Sequence, residues 1–85
     1  MNPLDIGMRI KETRIRMGRT NAAQFARDVG IQPHTLWRYE AGQTRPGIET
    51  AAALARELKV SMEWLLTGEG RGPDVDPTEK KAGIT

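Results

Sequence analysis

The stretch AAQFARDVGIQPHTLWRY, residues 22–39, constrains the fold more than any other part of the chain. Its large apolar residues follow a helical spacing on both sides of a short turn. Gly30 suits a helix end because it accepts a positive φ angle, and Pro33 suits a helix start, where no backbone N–H is needed. The small side chain of Ala26 lets the two segments approach closely. The stretch therefore predicts two short helices that cross steeply around a tight turn.

Helical patterns also cover the rest of the chain up to residue 68, where no alternating strand pattern occurs. Asn21 and Gln24 have the spacing of a capping box, and Ser61 is a favourable N-cap. The predicted helices run from about Leu4 to Met17, from Asn21 to Val29, from Pro33 to Ala41, from Ile48 to Leu58 and from Met62 to Leu66. We therefore expect an all-α domain of five helices over residues 1–68, in which the second and third helices form a helix-turn-helix.

The apolar residues of the first and fourth helices predict which sides of these helices face the core. In the first helix we expect a buried stripe formed by Leu4, Ile6, Met8, Ile10, Ile15 and Met17. In the fourth helix we expect core positions at Ile48, Ala52, Leu54, Ala55 and Leu58. Arg14 lies on the inward side of the first helix, where a charge requires a partner of opposite sign.

The composition argues against several classes of function. Without cysteine the chain forms neither disulfides nor thiolate metal sites, and the single histidine, His34, builds no histidine cluster, so we expect no metal and no cofactor. No apolar run approaches the roughly 20 residues of a membrane span, and no nucleophile is paired with a base. We therefore expect a cytoplasmic protein that is not an enzyme. Residues 69–85 are rich in glycine and proline, which predicts a flexible linker to a further C-terminal domain or a terminal tail.

The basic residues are distributed unevenly, although the net charge is only +2. Residues 9–19 contain five basic side chains and one acidic side chain, Glu12. This cluster fits an electrostatic footprint for a phosphate backbone, and it also fits a solvated helix face. Charge alone does not separate the two interpretations.

Three segments carry a resemblance to a known family: FARDVGI at residues 25–31, TLWRYEAG at residues 35–42 and VSMEWLLTG at residues 60–68. Together and in this order they resemble the lambda-repressor/Cro/Xre family of bacterial and phage DNA-binding domains, over about Ile6 to Gly68. The resemblance implies a five-helix fold whose third helix lies in the major groove of double-stranded DNA. It also implies a homodimer that binds a palindromic operator and represses transcription.

The resemblance assigns roles to individual residues of this chain. The side chains expected to face base edges are Gln32, Pro33, His34, Trp37 and Arg38. The expected phosphate contacts are Asn21, Gln43, Thr44 and Arg45. Arg14 and Glu40 match a structural salt bridge between the first and third helices of the family, which would supply the partner that the inward arginine requires.

The chain also departs from the family pattern near the start of the second helix. Ala22 stands where many members have a phosphate-clamping glutamine, and Ala41 replaces a frequent asparagine. The segment from residue 18 to residue 25 is one residue longer than usual, so Arg19 or Thr20 is expected to compensate with a phosphate contact.

Two aromatic residues leave alternatives open. Trp37 is expected to point away from the buried Leu36 and Tyr39, toward DNA. In the alternative interpretation, Trp37 packs at the edge of the core. Trp64 is expected to pack in the core or in a dimer contact. The exposed Trp37 and the missing clamp at Ala22 motivate a second hypothesis, a protein-interaction module such as an antitoxin or a subunit regulated by a protein antagonist.

Overall fold

The protein folds into five α-helices and, within residues 2–73, which are the residues that this computed structural model describes, it has no β-strand. The helices are α1 (Pro3–Arg16), α2 (Ala22–Val29), α3 (Pro33–Glu40), α4 (Ile48–Leu58) and α5 (Met62–Thr67). The predicted all-α, five-helix fold is confirmed. No helix in the described range has the length and apolar content that a bilayer span needs. The part of the predicted linker or tail at residues 74–85 lies outside the described residues.

Local capping explains why the helices begin and end where the sequence predicts. The Oδ1 atom of Asn21 accepts a hydrogen bond from the backbone N–H of Gln24 at 3.0 Å, which satisfies a free donor in the first turn of α2. Gly30 ends α2 with a φ angle of 98°, in the left-handed region. Ser61 caps α5 through a hydrogen bond from the N–H of Trp64 at 3.0 Å.

The core lies where α1, α2 and α3 meet α4 and α5. Ala26 is fully buried, as its small size predicts for the crossing of α2 and α3. The buried hydrophobic cluster consists of Ile6, Ile10, Phe25, Ala26, Leu36, Tyr39, Leu54, Ala55, Leu58 and Leu65. Full burial of each large side chain in this set contributes about 1.5–3 kcal/mol of transfer free energy. Trp64 is partly buried and packs against this cluster, as predicted.

The predicted stripe of α1 is wrong for four of its six members. Ile6 and Ile10 are fully buried, whereas the side chains of Leu4, Met8, Ile15 and Met17 are 37–51% exposed. The helix carries apolar residues on two opposite faces, and the face with Ile6 and Ile10 is the one that packs into the core, with Gly7 beside it. Gly7 lies directly against the backbone carbonyls of Tyr39 and Glu40, so that a Cβ atom there would overlap α3. The absence of a side chain at Gly7 therefore permits the close contact between α1 and α3.

The predicted core of α4 is wrong at its first residue, and Ala52, also predicted in the core, is only partly buried. Ile48 is 71% exposed, and Ala51, which the sequence did not single out, is fully buried instead. Ile48 lies at the N-terminal end of the buried stripe of α4, in an open groove that it lines together with Pro46 and Leu66. Ile48 therefore lines a surface groove, although the sequence predicted it in the core.

The chain beyond α5 returns to the domain before the described range ends. The carbonyl of Arg71 accepts a hydrogen bond from the N–H of Ser61 at 2.9 Å, and Gly72 lies against the indole of Trp64. Residues 69–73, although expected to begin the linker, thus contact the start of α5.

Candidate nucleic-acid interface

The outward face of α3 presents three large polar or aromatic side chains. Leu36 and Tyr39 point into the core, and because successive helical residues are rotated by about 100°, the opposite side carries His34, Trp37 and Arg38. All three are exposed, and Trp37 is 54% exposed, so it is not a residue of the core edge. Gln32 and Pro33, the other predicted base-reading residues, are also exposed at the start of α3.

The rings of His34 and Trp37 stack on each other on this face. Their centroids are 5.6 Å apart and their planes are inclined by 18°. The spacing of three residues along α3 brings the two side chains onto adjacent turns, which permits this contact. Stacking restricts the rotamers of both rings and gives this part of α3 a defined, largely apolar surface.

The predicted phosphate contacts lie in two segments that flank the helix-turn-helix. Asn21 is exposed at the N-terminus of α2, where the first backbone N–H groups and the helix dipole favour an anion. Gln43 and Arg45 are exposed and Thr44 is half-buried in the loop between α3 and α4. Pro46 is buried and anchors this loop to the domain.

A buried ion pair fixes the position of α3 against α1. Arg14 donates from Nε to Oε2 of Glu40 at 2.9 Å and from Nη2 to Oε1 at 3.1 Å, and the two side chains are only 5% and 10% exposed. Arg14 also donates from Nη1 to the carbonyl of Arg19 at 2.9 Å, which holds the loop before α2. The two parallel hydrogen bonds neutralise the buried carboxylate of Glu40 and also fix the orientation of the C-terminal end of α3.

Arg19 binds within the domain, although the sequence suggested a phosphate contact. Its Nη1 and Nη2 atoms donate to Glu57 at 2.8 Å and to Asp28 at 2.6 Å, and its guanidinium lies 4.8 Å from the centroid of the Phe25 ring. The hydrogen bond to Glu57 is the main cause that raises the pKa of Arg19 above its ordinary value. This geometry favours a tie between the α1–α2 loop, α2 and α4 over a phosphate contact. Thr20 remains exposed beside it.

Sequence reasoning missed the role of Arg9. This side chain donates from Nε to the carbonyl of Leu65 at 2.9 Å and from Nη2 to the carbonyl of Leu66 at 3.1 Å, which satisfies free carbonyls at the end of α5. Its spacing could have indicated this role, because Arg9 is three residues from Ile6 and four from Thr13. Both of these residues are buried, so Arg9 lies next to the packed side of α1. Three arginines of the basic stretch therefore bind inside the domain. The sequence anticipated this for Arg14, through its pairing with Glu40, but not for Arg9 or Arg19.

No group of histidine, cysteine, aspartate and glutamate side chains within residues 2–73 is arranged to hold a metal ion. The polar groups that converge near α3 are arginines, amides and a hydroxyl, which are donors suited to phosphates and base edges. The exposed face of α3 and its two flanking segments are therefore the candidate interface.

Comparisons with known proteins agree with this geometry. A family model described as helix-turn-helix matches residues 10–65. The P22 c2 repressor, solved in complex with the synthetic operator 9T in the presence of Tl+, is similar with a TM-score of 0.71 and 28% sequence identity, over 75% of this chain and 96% of that one. The solution structure of the DNA-binding domain of the P22 c2 repressor, residues 1–76 of that protein, gives a TM-score of 0.71 and 29% identity, over 80% and 88% of the two chains. No curated protein sequence matches the chain.

Proposed function

The chain belongs to the lambda-repressor/Xre-like helix-turn-helix family, and on that premise we propose that it is a DNA-binding repressor of phage or bacterial type whose α3 enters the major groove of a palindromic operator. The observation that carries the proposal is the outward face of α3, which holds exposed His34, Trp37 and Arg38 on a rigidly anchored helix. The similarity to a repressor solved with its operator supports the same conclusion. The major groove is about 12 Å wide and admits an α-helix.

The arginine, amide and hydroxyl side chains of the candidate interface have distinct chemical roles in this proposal. Arg38 donates two hydrogen bonds to O6 and N7 of a guanine, the commonest specific contact in the major groove. Asn21 and the loop residues Gln43, Thr44 and Arg45 contact phosphates, which fixes the register of the protein on the duplex without encoding sequence. Gln32 and Pro33 lie at the start of α3, the end from which this type of motif contacts base edges.

Selection of binding sites from random duplexes tests the proposal directly. We expect a two-fold symmetric motif that contains a guanine in each half-site. Arg38→Ala should weaken binding to it by about 1–3 kcal/mol, or about 5- to 150-fold, and relax the preference at that guanine. Arg56→Ala is the matched control, because Arg56 is also an exposed helical arginine but belongs to α4, so this variant should bind like the unmodified chain.

A folded chain that enriches no duplex at low salt would overturn the proposal, as would an Arg38→Ala variant that binds the motif unchanged. The alternative, a protein-interaction module, would then gain support. The exposed Trp37, Leu4, Met8 and Ile15 offer apolar surface for that alternative. The interaction module would be established if the unmodified chain bound a purified protein partner but negligible DNA, and if Trp37→Ala no longer bound that partner.

A second copy of the chain is the partner that a palindromic operator requires. We assign the contact between the copies to the open groove formed by Arg45, Pro46, Gly47, Ile48, Ala51 and Leu66. The groove is continuous with the proposed phosphate-binding loop because Arg45 belongs to both. It also contains Ile48, the most exposed of the large apolar side chains in the described range.

Sedimentation of the protein with the selected duplex tests this assignment. Two copies should bind each duplex, and Ile48→Glu should leave one copy bound at concentrations that saturate the unmodified chain, because two carboxylates would face each other in an apolar contact. Ile15→Glu introduces the same change at another exposed isoleucine, on α1, and should keep the stoichiometry of two. One copy per duplex for the unmodified chain would contradict the dimer.

A further inference from the structure

The stacked pair of His34 and Trp37 has a chemistry that the arginine and amide contacts of the interface do not share. The indole is 54% exposed and is held by the imidazole in a nearly parallel stack. The other aromatic side chains of the described range are either buried, as Phe25 and Tyr39 are, or packed against the core, as Trp64 is. An exposed apolar ring in a small domain is most stable when a partner covers it.

The position of the pair on α3 defines what it would meet. His34 lies at the centre of the outward face, with Trp37 and Arg38 on its two sides within about 60° around the helix axis. In a major groove, Arg38 would therefore face one side of the base edges while the stacked rings face the other. The 5-methyl group of a pyrimidine is the apolar group that the base edges present in that groove.

The stack also supplies the rigidity that a specific apolar contact needs. A lone tryptophan on a helix surface loses rotamer freedom on binding, and that loss opposes the small gain from covering one methyl group. The contact with His34 restricts the indole before DNA arrives. The imidazole and indole together thus form a preorganised apolar wall beside the donor groups of Arg38.

We propose that the His34–Trp37 stack reads the 5-methyl group of a thymine in each half-site of the operator. This inference rests on the proposed function, since it requires α3 to lie in the major groove. It assigns to this chain a hydrophobic element of sequence recognition next to the hydrogen-bonding element at Arg38. Thymine is distinguished from cytosine and uracil here by its methyl group.

Replacement of single thymines by uracil in the selected duplex removes only that methyl group. At one symmetric position the unmodified chain should bind the uracil duplex about four-fold more weakly for each methyl removed, and roughly 15-fold more weakly when both half-sites are changed. Trp37→Ala should bind the thymine and uracil duplexes equally. Arg38→Ala should bind both more weakly while keeping their ratio, and circular dichroism verifies that each variant remains helical.

A second comparison separates the methyl group from the rest of the thymine base. With cytosine at the sensitive position, addition of a 5-methyl group should strengthen binding by about four-fold for the unmodified chain and leave Trp37→Ala unchanged. His34→Ala keeps the indole but removes its support, so it should reduce the ratio between the thymine and uracil duplexes.

The outcomes separate this inference from the proposed function. Specific operator binding by the unmodified chain without any thymine that responds to uracil would overturn methyl reading and leave the repressor function standing. An equal response to uracil in Trp37→Ala would also overturn it. A folded chain that selects no duplex would overturn the proposed function and this inference together.

Discussion

Residues 9–19 and residues 32–45 use their basic side chains in opposite ways. The first region has five basic residues, but Arg9 binds carbonyls of α5, Arg14 binds Glu40, and Arg19 binds Asp28 and Glu57. The second region has only Arg38 and Arg45, and both are exposed. Three of the five basic side chains in the denser cluster therefore connect parts of the domain, whereas both basic side chains of the sparser one are exposed.

The difference shows that the density of basic residues in a sequence is a poor guide to a DNA-binding surface. A guanidinium whose N–H groups are donated to carbonyls or carboxylates inside the domain is poorly placed to displace counterions from phosphates. What identifies the candidate surface is exposure on a helix whose position is fixed from behind. In this chain, Arg14 of the first region helps to fix the position of α3 through its ion pair with Glu40.

The largest effect that would test this comparison is expected from Arg14→Met. Removal of the guanidinium leaves Glu40 buried without its partner, which should lower the free energy of unfolding by about 3–5 kcal/mol. Urea unfolding followed by circular dichroism measures this loss. The double variant Arg14→Met with Glu40→Met should recover much of it, because two apolar side chains can replace a buried ion pair.

The matched control for stability is Lys11→Met, a change of an exposed basic residue on the same helix. It should alter the free energy of unfolding by no more than about 0.5 kcal/mol. An Arg14→Met variant as stable as Lys11→Met would mean that the ion pair does not hold α1 and α3 together, and the contrast between the two regions would fail.

A smaller effect, on binding alone, is expected from Arg45→Ala. Loss of one phosphate contact should reduce the slope of log K against log salt concentration by about 0.9. It should weaken binding to all duplexes alike, because a phosphate contact carries no base preference. Titrations between about 50 and 200 mM salt, with the selected duplex and with an unrelated one, measure both quantities.

Lys11→Ala is the control for this measurement and should leave the salt slope unchanged. Lys11 is exposed in the dense basic stretch, on α1 rather than on α3 or its two flanking segments. A slope reduced by Lys11→Ala and not by Arg45→Ala would return the phosphate-binding role to the first region.

The sequence predicted much of the candidate site because its key residues belong to a continuous segment. Once α3 begins at Pro33 and turns Leu36 and Tyr39 inward, helical rotation alone directs Trp37 and Arg38 outward. The stacking of His34 on Trp37 could not be predicted with the same ease, because it depends on the rotamers of both side chains. The binding of Arg19 depends on Glu57, which is distant in the sequence.

The sequence by itself determined where the helices of this protein begin and end. Asn21, Gly30, Pro33 and Ser61 act through hydrogen bonds and backbone angles within one turn of their own position, so their effect can be read locally.

Only the tertiary structure decided which faces are buried and which arginines are occupied. Leu4 and Ile6 are both large aliphatic residues, yet only Ile6 is buried, because it lies on the side of α1 that packs against the other helices. Ile48 is exposed because no helix in the described range covers the groove at the start of α4, and Arg9 is occupied because its helix lies against the end of α5. Burial and pairing depend on which distant helix comes close, and that is a property of the whole packed domain rather than of any local pattern.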